Sequence, residues 1–169
     1  MVDQDAQGFD FTRIDDETLQ AMLEAALKGA TVAQLADMSP ETLEGLYALG
    51  YNLYNSGNYQ DAETVFRALC LYDHHSYKYW MGFAGCLQAR GEYKTAIDAY
   101  SLAGIATALE DPQPFLFGAI CYLKMNDRDN AKGALLGILD LCADDLRHAT
   151  CKARAQEMLN LLEGQAVHA

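Results

Sequence analysis

Apolar positions along this chain fall in helical stripes, and one order of residues recurs. It runs Leu46, Leu49-Gly50, Leu53, then Gly57, then Ala62 and Phe66. It returns as Trp80, Phe83-Ala84, Leu87, Gly91, Ala96 and Tyr100, and a third time, weaker and offset by one, as Phe115, Gly118-Ala119, Tyr122, Asn126, Ala131 and Leu135. Ala62, Ala96 and Ala131 are 34 and 35 residues apart. Spacing of three and four between apolar residues predicts amphipathic helices. A glycine or asparagine five residues before each alanine predicts a turn between two of them. The small pairs Gly50 with Ala62 and Ala84 with Ala96 predict where the two helices of each unit cross closely.

A period near 34 with a small residue, a turn and a large apolar residue in fixed places is the signature of tetratricopeptide repeats. One such helix pair cannot bury its own apolar face, so several must stack. The predicted fold is all-α: three tetratricopeptide repeats at 43–76, 77–110 and 112–144, stacked as a short solenoid within 39–144. An N-terminal helical segment at 15–38 and a C-terminal capping helix at 145–164 flank them. Residues 1–14 read as a flexible acidic arm and 165–169 as a disordered tail. Asp15-Asp16 suit a helix start, Leu19, Met22, Leu23, Ala26 and Leu27 line one face, and Gly29 is a natural stop. A short turn at Val32 to Ala36 follows. Ser39-Pro40 reads as an N-cap with proline at the first helical position, and Asp111-Pro112 is expected to start the third pair in the same way. Asp144-Asp145 open the last helix and Gly164 is expected to end it. The N-terminal helix stands outside the repeats, so it either caps the first repeat or pairs with another subunit.

Composition narrows the functional classes. With 51% hydrophobic residues and only three prolines among 169 residues, a real core is available and wholesale disorder is excluded. A net charge of −12 argues against nucleic acid and anionic membranes; it favours neutral or basic partners, or serves solubility alone. The five cysteines show no CxxC pair, and no basic N-terminal region precedes an apolar run. Reduced thiols and a cytoplasmic location are therefore expected. Cys86 and Cys121 share one helical slot in successive repeats, which predicts simple packing. The longest apolar run, Phe115 to Leu123, is far short of the ~20 residues that span a bilayer.

The first helix of repeat one carries a feature the fold does not need. Leu46, Leu49, Gly50 and Leu53 supply the inward stripe. Tyr47, Tyr51 and Tyr54 make a second stripe, although a surface helix requires one apolar face only. Either this stripe lines the concave groove of the stack, or it packs on the N-terminal helix. Tyrosine suits a peptide groove, because the ring is large and rigid and the hydroxyl can bond a ligand backbone. The equivalent positions are Met81, Gly85 and Gln88 in repeat two and Leu116, Ile120 and Leu123 in repeat three. The expected groove is aromatic and apolar. Repeat domains that clamp a C-terminal carboxylate place Lys and Asn in slots held here by Tyr47, Tyr51, Gly82 and Phe117, so an extended peptide with apolar anchors is the expected ligand. His74-His75 reads as a solvated or capping turn, not a metal site. No phosphate loop, nucleophile motif or acid–base pair stands out, so no enzyme activity, metal or cofactor is expected.

Two segments carry a more specific likeness: LADMSPETLEGLYALGYNLYNSGNY, from Leu35 to Tyr59, and DAETVFRALCLYDHHSYKYWMGFAGCLQARGEYKTAIDAY, from Asp61 to Tyr100. The chain resembles the class II chaperones of bacterial type III secretion, the LcrH/SycD kind, over about residues 19 to 160. The resemblance implies a small, acidic, cytoplasmic, all-helical protein that binds hydrophobic secreted translocators and keeps them soluble before export. An extended segment of the translocator would lie in the groove. The family's groove tyrosines fall on Tyr47, Tyr51, Tyr54 and Tyr59. Family members often form homodimers through N-terminal helices, which would recruit Leu19, Met22, Leu23 and Leu27, and some act with a transcription factor as co-regulators. The alternative is a general scaffold for protein–protein interaction without a protective role.

Overall fold

In the computed structural model, residues 16–142 and 145–166 are described. The acidic arm, Asp15, Asp144 and residues 167–169 lie outside them. The described part is helical throughout: α1 Asp16–Leu27, α2 Val32–Leu35, α3 Pro40–Asn55, α4 Tyr59–Tyr72, α5 Tyr77–Ala89, α6 Tyr93–Ala106, α7 Gln113–Lys124, α8 Arg128–Leu141 and α9 Ala149–Ala166, with a 3-10 turn at Leu146–His148 before the last. From α3 onward each helix packs on the next, and α3 also touches α5. No helix among the described residues is long and apolar enough to cross a membrane.

The turns form as their residues dictate. Gly57 and Gly91 have φ of 82° and 81°, and Asn126 has 59°. This left-handed conformation lets the next N–H reach back over the helix end: Asn58 to the Leu53 carbonyl, Glu92 to Leu87 and Asp127 to Tyr122, each at 2.9 Å. Ser39 caps α3 by accepting from the Thr42 N–H at 3.2 Å, with Pro40 behind it. Thr31 and Gln34 make a reciprocal capping box on α2.

The third pair starts differently from the expectation. Pro112 is itself the N-cap of α7, and the Asp111 carboxylate accepts from the Gln113 N–H at 2.9 Å. The last helix likewise departs from its forecast. Asp145 caps the 3-10 turn by accepting from the Arg147 N–H, and α9 runs through Gly164 to Ala166. Gly164 does not take the left-handed conformation by which glycine ends a helix; among the described residues Gly29, Gly57 and Gly91 do.

The alanine spine is fully buried: Ala62, Ala96 and Ala131 each have 0% exposure. Phe66 and Tyr100 are buried one turn further on, and Leu135 with them. Cys86 and Cys121 lie sealed in successive core layers. Among the described residues Glu63 is the buried carboxylate; it pairs with Arg90 at the end of α5, and Arg90 also holds Glu92 at 2.8 Å. The His74-His75 turn is structural. The His74 carbonyl accepts from the Trp80 indole at 2.8 Å, and His75 Nε2 meets the Gly29 carbonyl at 3.2 Å. That contact ties the N-terminal segment to the turn after repeat one. α1 packs on α2, and α2 on α4. Leu27 is 80% exposed, and the side chains of Leu19, Met22 and Leu23 lie outside the described residues.

Two glycines face one ring. A Cβ on Gly50 would stand 3.1 Å from Phe66, and on Gly82 only 2.4 Å. Gly82→Ala is therefore expected to destabilise the protein by about 1–3 kcal/mol through overpacking. Exposed Gly45, with nothing within 4 Å, should gain about 0.5–1 kcal/mol on becoming alanine. Urea unfolding midpoints of the two variants should move in opposite directions.

Candidate functional site: an aromatic groove between the inner helices

The inner helices α3, α5 and α7 face a cavity of about 500 Å³. Tyr47, Tyr51 and Tyr54 of α3 line it together with Met81, Gly85 and Gln88 of α5. The tyrosine stripe therefore turns to the groove, and Tyr51 remains 53% exposed. Gly85 gives room on the floor: a Cβ there would be in ordinary contact with Tyr54, at 3.6 Å.

The rings are fixed by one another. Tyr47 and Phe66 are T-shaped at 5.8 Å between centroids, and Tyr47 stacks with Tyr51 at 6.4 Å. Lys78 lies 4.7 Å above the centre of the Tyr47 ring and is paired with Glu44. Across the groove Tyr100 stacks on Phe117 at 5.4 Å, and its hydroxyl donates to Gln88 Oε1 at 2.6 Å. The Tyr77 hydroxyl donates to Gln113 Oε1 at 3.2 Å, joining α5 to α7. Side chains already held in place lose little freedom when a ligand arrives, which favours binding.

Repeat three contributes other residues than expected. Leu116 is 4% exposed and packs with Leu135, Ile138, Ala155 and Leu159, because α9 lies against α7 and α8 on that side. Ile120 and Leu123 do not line the cavity either; Gln113, Phe117 and Lys124 do. Tyr59 also stands off it, supporting Tyr54 edge-on at 5.2 Å. The wall of α7 thus follows α5 at 36 residues (Tyr77 to Gln113, Met81 to Phe117, Gln88 to Lys124) although the alanine spine advances by 35. Phe66, Tyr77, Lys78, Tyr93, Tyr100 and Lys124 were missed as lining residues. Lys78 and Lys124 were within reach of the helical wheel, three residues before Met81 and seven after Phe117. Phe66, Tyr93 and Tyr100 come from the outer helices and had no such signal.

Among the described residues no cluster of His, Cys, Asp and Glu could hold a metal ion. Burial raises the pKa of Tyr54, Tyr77 and Tyr100, with Tyr59 adding to the effect at Tyr54 and Asp111 at Tyr77. It pushes the Cys70 and Cys86 thiols up to about 12 and Cys121 to about 11. What the arrangement offers is a wide aromatic channel with a few fixed polar atoms.

Fold and groove define a tetratricopeptide-repeat module with an aromatic channel along its inner helices. The tetratricopeptide-repeat profile matches residues 43–75 and 77–108. The low calcium response locus protein H of Yersinia pestis is 37% identical over 150 residues, covering 88% of this chain and 89% of its own. A chain of a type III secretion complex from Aeromonas hydrophila superposes with a TM-score of 0.79 at 32% identity, over 89% of this chain and 99% of that one. The type III secretion translocator chaperone SycD of Yersinia enterocolitica, solved with a peptide of the translocator YopD, gives 0.68 at 32% identity over 76% and 98%. SycD was also solved as an alternative dimer, with a TM-score of 0.69 at 32% identity over 76% and 97%. This chain belongs to the class II type III secretion translocator chaperone family.

The shifted thiols and phenols set a pH limit. In the unfolded chain a cysteine releases its proton near its ordinary value, whereas the folded protein retains it. Above about pH 9 the unfolded state therefore binds fewer protons and stability falls with rising pH. Urea unfolding free energies should be level from pH 7 to 8.5 in this respect and decline by pH 10.5.

Proposed function

We propose that this protein is a non-catalytic cytoplasmic chaperone for hydrophobic translocator proteins of type III secretion, and that the groove between α3, α5 and α7 holds an extended segment of the partner. The observation that carries this reading is the row Tyr47, Tyr51 and Tyr54 presented to an open, pre-arranged cavity in a chain of this family. Apolar side chains of the segment would enter between the rings, and the tyrosine and glutamine polar atoms would meet its backbone. Covering an aggregation-prone segment acts by mass action: a partner bound here is withdrawn from self-association.

Tyr51 tests this well, because it is half-exposed and its removal leaves the core intact. Tyr51→Ala should lower affinity for a co-produced translocator by about 1–3 kcal/mol, the range of hot-spot aromatics. Gly85→Ala should keep or raise the melting temperature, since alanine favours a helix by about 1 kcal/mol over glycine, and yet weaken binding by filling the floor. Calorimetric titration with the purified partner segment reads both. In co-expression, the translocator should leave the soluble fraction when either variant replaces the wild type. A partner equally soluble without this protein favours a scaffold.

We further propose a homodimer through α1, using Leu19, Met22, Leu23 and Leu27. The exposure of Leu27 on a helix that packs mainly on short α2 supports it. Leu23→Glu should shift the mass measured by light scattering from dimer to monomer; a wild type that is monomeric at all concentrations overturns the assignment.

A further inference from the structure

The groove has a charge that the rest of the chain would not lead one to expect. Acidic residues outnumber basic ones by 24 to 12. Yet the lining of the cavity contains two lysines, Lys78 and Lys124, and no aspartate or glutamate. The two lysines differ in what they already hold. Lys78 is paired with Glu44 and lies over the Tyr47 and Tyr79 rings. Its charge is offset, and its stem forms part of the aromatic wall. Lys124 is in the last turn of α7, is exposed, and has no ion-pair partner among the described residues. It stands seven residues, two helical turns, beyond Phe117 on the same wall.

From this we infer that Lys124 reads a carboxylate on the bound segment, so that the groove selects an extended peptide with apolar anchors and an acidic group at the end lying over the C-terminal turn of α7. The inference rests on the groove reading given above and adds the partner's charge to it. The physical reason is local. A partner carboxylate approaching this molecule meets net repulsion over most of its surface, and the groove is where a cation is presented without a competing anion in the lining. An acidic side chain would thus be favoured at one position only, which fixes the register of a segment whose apolar anchors could otherwise slip.

The test uses the full-length protein and a library of synthetic ten-residue peptides with amidated C-termini, captured on immobilised protein and sequenced by mass spectrometry. Captured peptides should require Tyr51 and be enriched in Asp or Glu at one position relative to their apolar residues. For an individual captured peptide, Lys124→Gln should reduce affinity about three- to fivefold, the range of a partly exposed ion pair. Lys124→Glu should reverse the preference toward Lys or Arg at that position. A second library with free C-terminal carboxylates separates the sources: enrichment confined to it would assign the contact to a chain terminus in place of a side chain. Peptides that require Tyr51 and show no acidic preference in either library, or a preference unchanged in Lys124→Glu, overturn the inference and leave the groove standing. Capture independent of Tyr51, or no capture, overturns the groove reading and this inference with it.

Discussion

The ring of Phe66 is the contact on which core and groove both depend. It follows the buried Ala62 by one helical turn, so it projects from α4 toward the line where α3 and α5 meet. Gly82 lets it lie there, since a Cβ at that position would come within 2.4 Å of the ring, and Gly50 leaves it room, a Cβ there standing at 3.1 Å. The ring is 2% exposed and belongs to the core, and its edge still lines the groove. It also sets Tyr47, which is T-shaped to it, and Tyr47 in turn stacks on Tyr51. A ligand in the groove would therefore rest on residues that hold the first two repeats together. Precise packing below the surface is what keeps the surface rings from collapsing onto one another.

The same dependence explains which parts of the site were legible in the sequence. Stripes within one helix can be read from spacing alone, and so Tyr47, Tyr51, Tyr54, Met81, Gly85 and Gln88 could be gathered on one wall. The turns were equally legible, because Gly57, Gly91 and Asn126 must take a left-handed conformation that few other residues tolerate. Leu116 was not legible. Its surroundings are decided by α9, forty residues further on, whose Ala155 and Leu159 bury it. An apolar residue on the inner helix of a last repeat has two possible neighbours, a ligand or the capping helix, and spacing does not distinguish them. The groove wall then passes one residue round the helix, to Phe117 and Lys124.

Tyr100 shows the other limit. In the repeat pattern it is a large apolar residue at a core position, and it is indeed 3% exposed. Its hydroxyl reaches Gln88 at 2.6 Å while its ring stacks on Phe117. One side chain from an outer helix thereby fixes one groove residue on each of two inner helices. A leucine there would fill the core and leave both without that support. The pattern records size, and the polar end of the residue carries the additional role.

The contrast in charge follows from what each surface must avoid. An acidic exterior repels other acidic copies and limits non-specific association. In a groove that closed over an apolar chain, a carboxylate would have to lose water, at a cost unless the ligand returned hydrogen bonds or a charge. A lysine is better suited, because its stem covers apolar surface while its ammonium stays at the edge in water. Lys78 shows this arrangement already in place, with its stem on the tyrosine wall and its charge held by Glu44 at the rim. The groove is thus apolar where the ligand must be gripped and cationic only where solvent still reaches. On the readings proposed above, that division would let the site hold an apolar segment firmly and still discriminate among segments by charge.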